Sequence, residues 1–223
     1  MDYSIIRSNR KTVGLRIDEG KLEVRAPLRM PKADIERIVL SKEKWISDKM
    51  AIWAQRLAER ANFCLAYGSL VDYRGAQYPI IARAGNRAGF DDVCFYMPPD
   101  LSQEYIRDAC SRIYRMMAKN DLPEKVLAFA KKMSVMPTAL KINGAKTCWG
   151  SCSSKKSLNF SWRLMMADDE MIDYVVVHEL AHITEMNHSP QFWAIVEGVL
   201  PDYRARKARL KILQEKLKIE NWE

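Results

Sequence analysis

The chain has 223 residues, 48% of them hydrophobic and 29% charged, with a formal net charge of +8. No stretch is apolar enough to cross a bilayer, and five cysteines without framework spacing exclude a disulfide scaffold, so reduced thiols in a cytoplasm are expected. The segment Met1–Lys11 lacks the apolar centre of a signal peptide, and the basic balance favours anionic partners, nucleotides and nucleic acid among them.

The N-terminal part reads as β structure. Val13, Leu15 and Ile17 alternate before the turn Asp18-Glu19-Gly20, and Leu22, Val24 and Ala26 alternate after it, which predicts a hairpin. Pro31 opens a helix with Ile35, Ile38, Trp45, Ile46 and Trp53 on one face, ending near Arg60. A second β region follows, with strands over Leu70–Tyr73, Tyr78–Ala84 and Val93–Met97, joined by Arg74-Gly75 and Gly85–Gly89. Pro98-Pro99-Asp100 is the clearest punctuation, and it suggests a β-rich lobe over 1–98 followed by a helical part over 99–223. Two helices, Ser102–Ala118 and Pro123–Met133, and a strand near Leu140–Asn143 come next.

Leu158, Phe160, Trp162 and Leu164 alternate with Asn159, Ser161 and Arg163, a period of two that predicts a strand. Its polar face, Asn159, Ser161 and Arg163, is either a rail that binds an extended substrate or a solvated face. Trp149, shortly before it, either floors a substrate pocket or fills the core.

The chemistry concentrates in the next segment. The chain has three histidines, His178, His182 and His188, all within one eleven-residue window. Met171–Ile183 reads as a helix capped by Asp168 or Asp169 and apolar on most sides, hence buried. His178 and His182 lie one turn apart on its same face, where both reach one metal ion. Glu179 is offset by about 100° around the axis, beside such an ion and placed to take a proton from water. Were the helix to run straight on, His188 would point about 120° away from His182, so a break is needed between them. Asn187 can end a helix in the left-handed conformation, and Ser189-Pro190 starts another, Gln191–Leu200. Three imidazoles with an open fourth position for water make a catalytic zinc site, whereas a closed structural site needs a fourth ligand, with Cys148 and Cys152 as candidates. The spacing equals that of the metzincin motif, but Glu185 stands where that motif has Gly. The last helix, Asp202–Ile219, carries Leu210, Leu213 and Leu217 on one side and seven Lys or Arg residues besides. It is either a docked helix with a charged face or a grip for nucleic acid.

Between Lys146 and Trp193 the sequence resembles the YgjP-like metallopeptidase family. The residues that carry it are Trp149-Gly150-Ser151-Cys152, Leu158-Asn159, Trp162-Arg163-Leu164, the run Asp173 to His182, and His188 with Phe192-Trp193. The hairpin and Lys44-Trp45-Ile46 match more loosely. Cys148 stands where family members carry Arg, which removes a cation from that loop. The resemblance implies an α+β, zincin-like fold, with His178, His182 and His188 as Zn2+ ligands and Glu179 as catalytic acid/base. It implies hydrolysis of peptide or protein substrates. Some relatives are named for hydrolysis of a nucleoside triphosphate (UTP), so phosphoanhydride cleavage is a second expectation. A nucleic-acid-binding protein with structural zinc is a third. Tyr174, Arg163 and Tyr203 are the candidates to stabilise an oxyanion.

Overall fold

The computed structural model describes residues 2–18 and 20–222. Glu19, in the expected hairpin turn, and Met1, which begins the segment expected to lack a signal peptide, lie outside them. The fold is mixed α+β, and the chain divides into two compact units at Phe63–Cys64. That is earlier than the Pro98 punctuation suggests. The strands after Cys64 hydrogen-bond and pack with later elements, as when the Arg74 amide donates to Met165 O at 2.9 Å.

The first unit runs to Phe63 and includes Lys218–Asn221. Strands β1 (Tyr3–Ser8), β2 (Gly14–Asp18) and β3 (Lys21–Pro27) form a sheet with β3 in the middle, parallel to β1 and antiparallel to β2. The β2–β3 hairpin is the expected one. Leu22, Val24 and Ala26 point to one face and are fully buried against Ile35, Val39 and Ile46. Those three belong to helices α1 (Lys32–Ser41) and α2 (Glu43–Asn62), so the single helix expected from Pro31 to Arg60 is broken at Lys42. At the break the Ser41 hydroxyl donates to Ile38 O at 2.7 Å, the local bond by which serine competes with helix continuation. Of the expected apolar face, Ile35 and Ile46 are buried, while Trp45 is exposed.

The second unit holds the other elements. Strands β4 (Leu70–Tyr73), β5 (Ala76–Ala82), β6 (Gly89–Phe90) and β7 (Phe95–Met97) form a sheet in the order β4-β5-β7-β6. Arg74 and Gly75 turn β4 into β5 with positive φ at both positions, as a tight hairpin requires. Helix α3 (Gln103–Lys132) is continuous where two helices were expected. Pro123 removes one backbone donor, at a cost of about 3 kcal/mol. The apolar stripe from Ile106 through Leu122 to Val126 and Ala130 buries both sides of the proline and outweighs that cost.

Strands β8 (Ala139–Asn143), β9 (Gly150–Cys152) and β10 (Ser157–Ser161) form a third sheet, order β8-β10-β9. The strand predicted to continue through Leu164 stops at Ser161, and Trp162–Met166 form a 3₁₀ turn. Alternation misleads here because every residue from Ser161 to Ala167 is buried, whichever way it points. Trp162 stacks on Tyr114, with ring centroids 5.7 Å apart, in an aromatic core that includes Phe95 and Trp222.

Helices α4 (Asp169–Ala181), α5 (Pro190–Val199) and α6 (Tyr203–Ile219) complete the chain. Asp168 caps α4, its carboxylate accepting from the Met171 amide at 2.9 Å. Val175, Val176, Val177, Leu180 and Ala181 are all buried, so α4 is apolar on most sides as expected. No described helix is long and apolar enough to cross a membrane.

Candidate metal centre

Helix α4 ends at Ala181, so His178 lies in its last turn and His182 at its C-cap. The break therefore comes before Asn187, which has no positive φ; the Thr184 and Glu185 amides close the end by donating to Ala181 O. The chain then turns through Met186 and Asn187, and Ser189 caps α5, accepting from the Phe192 amide at 3.2 Å with Pro190 in the first turn. This corner swings His188 back over α4.

One ring nitrogen from each of the three histidines lies within 4.8 Å of the others. His188 Nε2 and His178 Nε2 are 3.1 Å apart, close to the ~3.3 Å that two nitrogens span on a tetrahedral ion with ~2.05 Å bonds. His182 Nδ1 sits 3.1 Å from Glu185 O; donating there leaves Nε2 with its lone pair for the cluster. Among the described residues His178 Nδ1 is buried without a hydrogen-bond partner. Burial, then the neighbouring His182 and His188, then Lys207, push the His178 imidazole down to about 3, so it stays neutral, the form that binds metal. Burial also lowers His182. This donor set suits a divalent transition ion. Cys148 and Cys152 are outside the cluster, and the Cys152 thiol, raised by burial and by Glu179, donates to Ser153 O at 3.5 Å.

Phe192 is fully buried beneath the triad, with ring centroids 4.9, 4.5 and 4.8 Å from His178, His182 and His188. Trp193 stacks on His188 at 5.6 Å and on Tyr203 at 5.2 Å. The matched pair Phe192-Trp193 was legible only as a motif; its packing role needed the corner.

Glu179 is 5% exposed, and burial alone raises its carboxyl to about 8. Across it lies Gly150 of β9: a Cβ there would stand 2.7 Å from Glu179 Cγ and 2.9 Å from Oε1. The glycine leaves the volume that the carboxylate fills. Sequence reasoning missed this role, although Gly150 was visible within Trp149-Gly150-Ser151-Cys152.

The expected substrate rail is rearranged. β10 is the middle strand, so neither of its edges is open to an added strand. Ser161 is buried, its hydroxyl donating to Ala145 O at 2.7 Å. Arg163 is buried too, donating to Gly144 O at 2.7 Å with its guanidinium 4.5 Å from the Trp162 ring centroid. Asn159 pairs with Ser151 and alternates with the Phe160–Gly150 pair, so it lies on the face away from Glu179. Trp149 is half-buried. Among the oxyanion candidates, Arg163 is held by the backbone. Tyr174 sits one turn before His178 with rings 5.8 Å apart, and burial, Tyr203 and Glu179 raise its phenol to about 12.

The basic face of α6 is largely engaged by the protein's own acids. Arg204 pairs with Glu197, Arg206 with Asp202, Arg209 with Asp168 and Glu170, and Lys216 with Asp72. That pattern fits a docked helix.

Three imidazoles that could hold one metal ion converge beside a buried carboxylate, within a mixed α+β fold. The model of the YgjP-like metallopeptidase domain matches residues 11–213, and the chain belongs to that family. No curated protein matches the chain. Two solved structures of metallopeptidase zymogens are similar to part of it. Abylysin of Pyrococcus abyssi is 22% identical, over 42% of this chain and 92% of that one, with a TM-score of 0.37. Jannalysin of Methanocaldococcus jannaschii is 24% identical, over 43% and 96%, with a TM-score of 0.37.

Proposed function

We propose that the protein is a zinc-dependent peptidase in which His178, His182 and His188 hold the ion and Glu179 is the general base. The observation that carries this reading is the convergence of three imidazole nitrogens within 4.8 Å next to a carboxylate walled in by Gly150. When bound, the ion would supply Lewis-acid polarisation of the scissile carbonyl and of water, and the positive charge that keeps the Glu179 carboxylate ionised. Glu179 takes the proton of the attacking water and passes it to the leaving amine. Tyr174, kept protonated by its raised pKa, donates to the oxygen that gains charge. Strand β9 pairs on one side with β10 and its other edge is unpaired, so an extended peptide adds to the sheet there, alongside Glu179. An all-imidazole ligand set suits zinc.

The test is zinc titration of metal-free protein, with cleavage of quenched fluorescent peptides and of nucleoside triphosphates in parallel. One ion per chain, with peptide cleavage that disappears in Glu179→Gln while the ion is retained, is the expected result. Failure to take up stoichiometric metal would overturn the proposal.

A further inference from the structure

The α6 cations are not all alike. Lys207 faces the site, and among the described residues it has no carboxylate partner, unlike Arg204, Arg206 and Arg209 around it. Its ammonium instead lies 4.5 Å from the centroid of Trp193. Such a contact favours one orientation of a flexible side chain. Trp193 itself packs against His188 at 5.6 Å and Tyr203 at 5.2 Å, with Tyr203 buried. The ammonium is therefore held on a rigid aromatic step directly beside the metal centre. By this path it is no further from the His188 ring than about one Debye length, ~10 Å at 0.1 M salt.

A cation held on an aromatic ring, with no carboxylate partner among the described residues and open to solvent, is available to an anion from outside. Resting on the peptidase reading, we propose that Lys207 is a specificity-determining residue that binds a substrate carboxylate. An extended peptide advances about 3.3 Å per residue, so that carboxylate lies within about three residues of the scissile bond. It comes either from an Asp or Glu side chain or from the free end of a short peptide. Both are the same chemistry to an ammonium.

The experiment uses the zinc-loaded full chain and three kinds of quenched peptide. One is neutral and amidated, one carries a single Glu stepped through the three positions on either side of the bond, and one is neutral with a free carboxyl terminus. At one position, Glu or the terminal carboxylate is expected to raise kcat/KM about fivefold over the neutral peptide, the upper range for an exposed ion pair. The ratio should fall to about one in Lys207→Met, invert towards Lys-containing peptides in Lys207→Glu, and survive in Lys207→Arg. A second readout needs no turnover: Glu179→Gln should bind the favoured peptide about fivefold more tightly than the neutral one, and less so at high salt. Gain from internal Glu identifies a side-chain carboxylate, and gain from the free terminus alone identifies trimming of chain ends. Equal cleavage of all the peptides, or a preference that persists in Lys207→Met, would overturn the role of Lys207 and leave the peptidase standing. Cleavage of none would overturn both.

Discussion

The molecule contains two three-stranded sheets of the same design, β1-β3-β2 and β8-β10-β9. Each has a middle strand parallel to one neighbour and antiparallel to the other. They differ in what they carry. In the first, Leu22, Val24 and Ala26 of the middle strand pack fully buried under α1 and α2, and no candidate catalytic group lies among them. In the second, Leu158 and Phe160 play the same packing part, but the edge strand β9 reads Gly-Ser-Cys and its glycine lies against Glu179. Large apolar side chains build a sheet; the absence of one at an edge makes room for chemistry. Packing is thus common to both sheets, and in one a missing side chain leaves room for the carboxylate proposed as the base.

The sharpest way to break this comparison is to remove the group that the second sheet houses. Glu179→Gln keeps the volume but not the base, so peptide hydrolysis should fall about 10²- to 10⁴-fold with one metal ion per chain retained. Rates and metal analysis on the same preparation check this. Residual activity near the wild-type level would remove Glu179 from the mechanism.

The opposite lesion belongs in the first sheet. Leu22→Ala empties fully buried space and should destabilise its unit by about 2–5 kcal/mol in denaturant unfolding. Metal uptake should stay at one ion per chain. Loss of the ion in this variant would show that the two sheets do not divide packing from function.

A third prediction concerns what burying Glu179 costs the metal-free protein. Its carboxyl is raised from 4.5 to about 8, so between those values the folded chain holds a proton that the unfolded chain has released. Stability then falls as pH rises through that window. The His178 imidazole, lowered from 6.5 to about 3, acts oppositely: stability rises with pH from about 3 to 6.5. The two slopes oppose each other between 4.5 and 6.5. Metal-free Glu179→Gln should match the wild type near pH 4.5 and exceed it near pH 8, by on the order of 4 kcal/mol. Equal thermal unfolding of the two at pH 8 would contradict the burial argument.

The smallest effect tests the edge itself. Gly150→Ala places a Cβ where the Glu179 side chain lies, and kcat should drop about tenfold, or ~1.4 kcal/mol, with metal content unchanged. Against a Glu179→Asp background, whose shorter side chain vacates that space, the same change should cost less. Equal costs in both backgrounds would mean that Gly150 does not position the carboxylate.

Much of this was legible beforehand. Period-two patterning of Leu22, Val24 and Ala26, the Arg74-Gly75 turn and the Ser189-Pro190 helix start all read correctly, because each depends on neighbours in sequence. Local rules failed where distant burial overrode them. Pro123 does not divide α3, because Leu122 and Val126 bury on either side of it. Arg163 looked like an outward polar residue, yet it is buried and bonded to the Gly144 carbonyl, in a turn where every residue is enclosed.

By itself the sequence determined the chemistry on offer: three imidazoles and a carboxylate at helical spacing, followed by a break that lets the third imidazole return. Spacing along a helix is set by backbone geometry, so residue numbers alone suffice to place such groups. Only the tertiary structure decided that Gly150 makes room for Glu179, that Phe192 underlies the three rings, and that Lys207, unlike Arg204, Arg206 and Arg209, has no carboxylate partner among the described residues. Those facts join elements far apart in the chain, and close packing of side chains, which no local pattern encodes, is what brings them together.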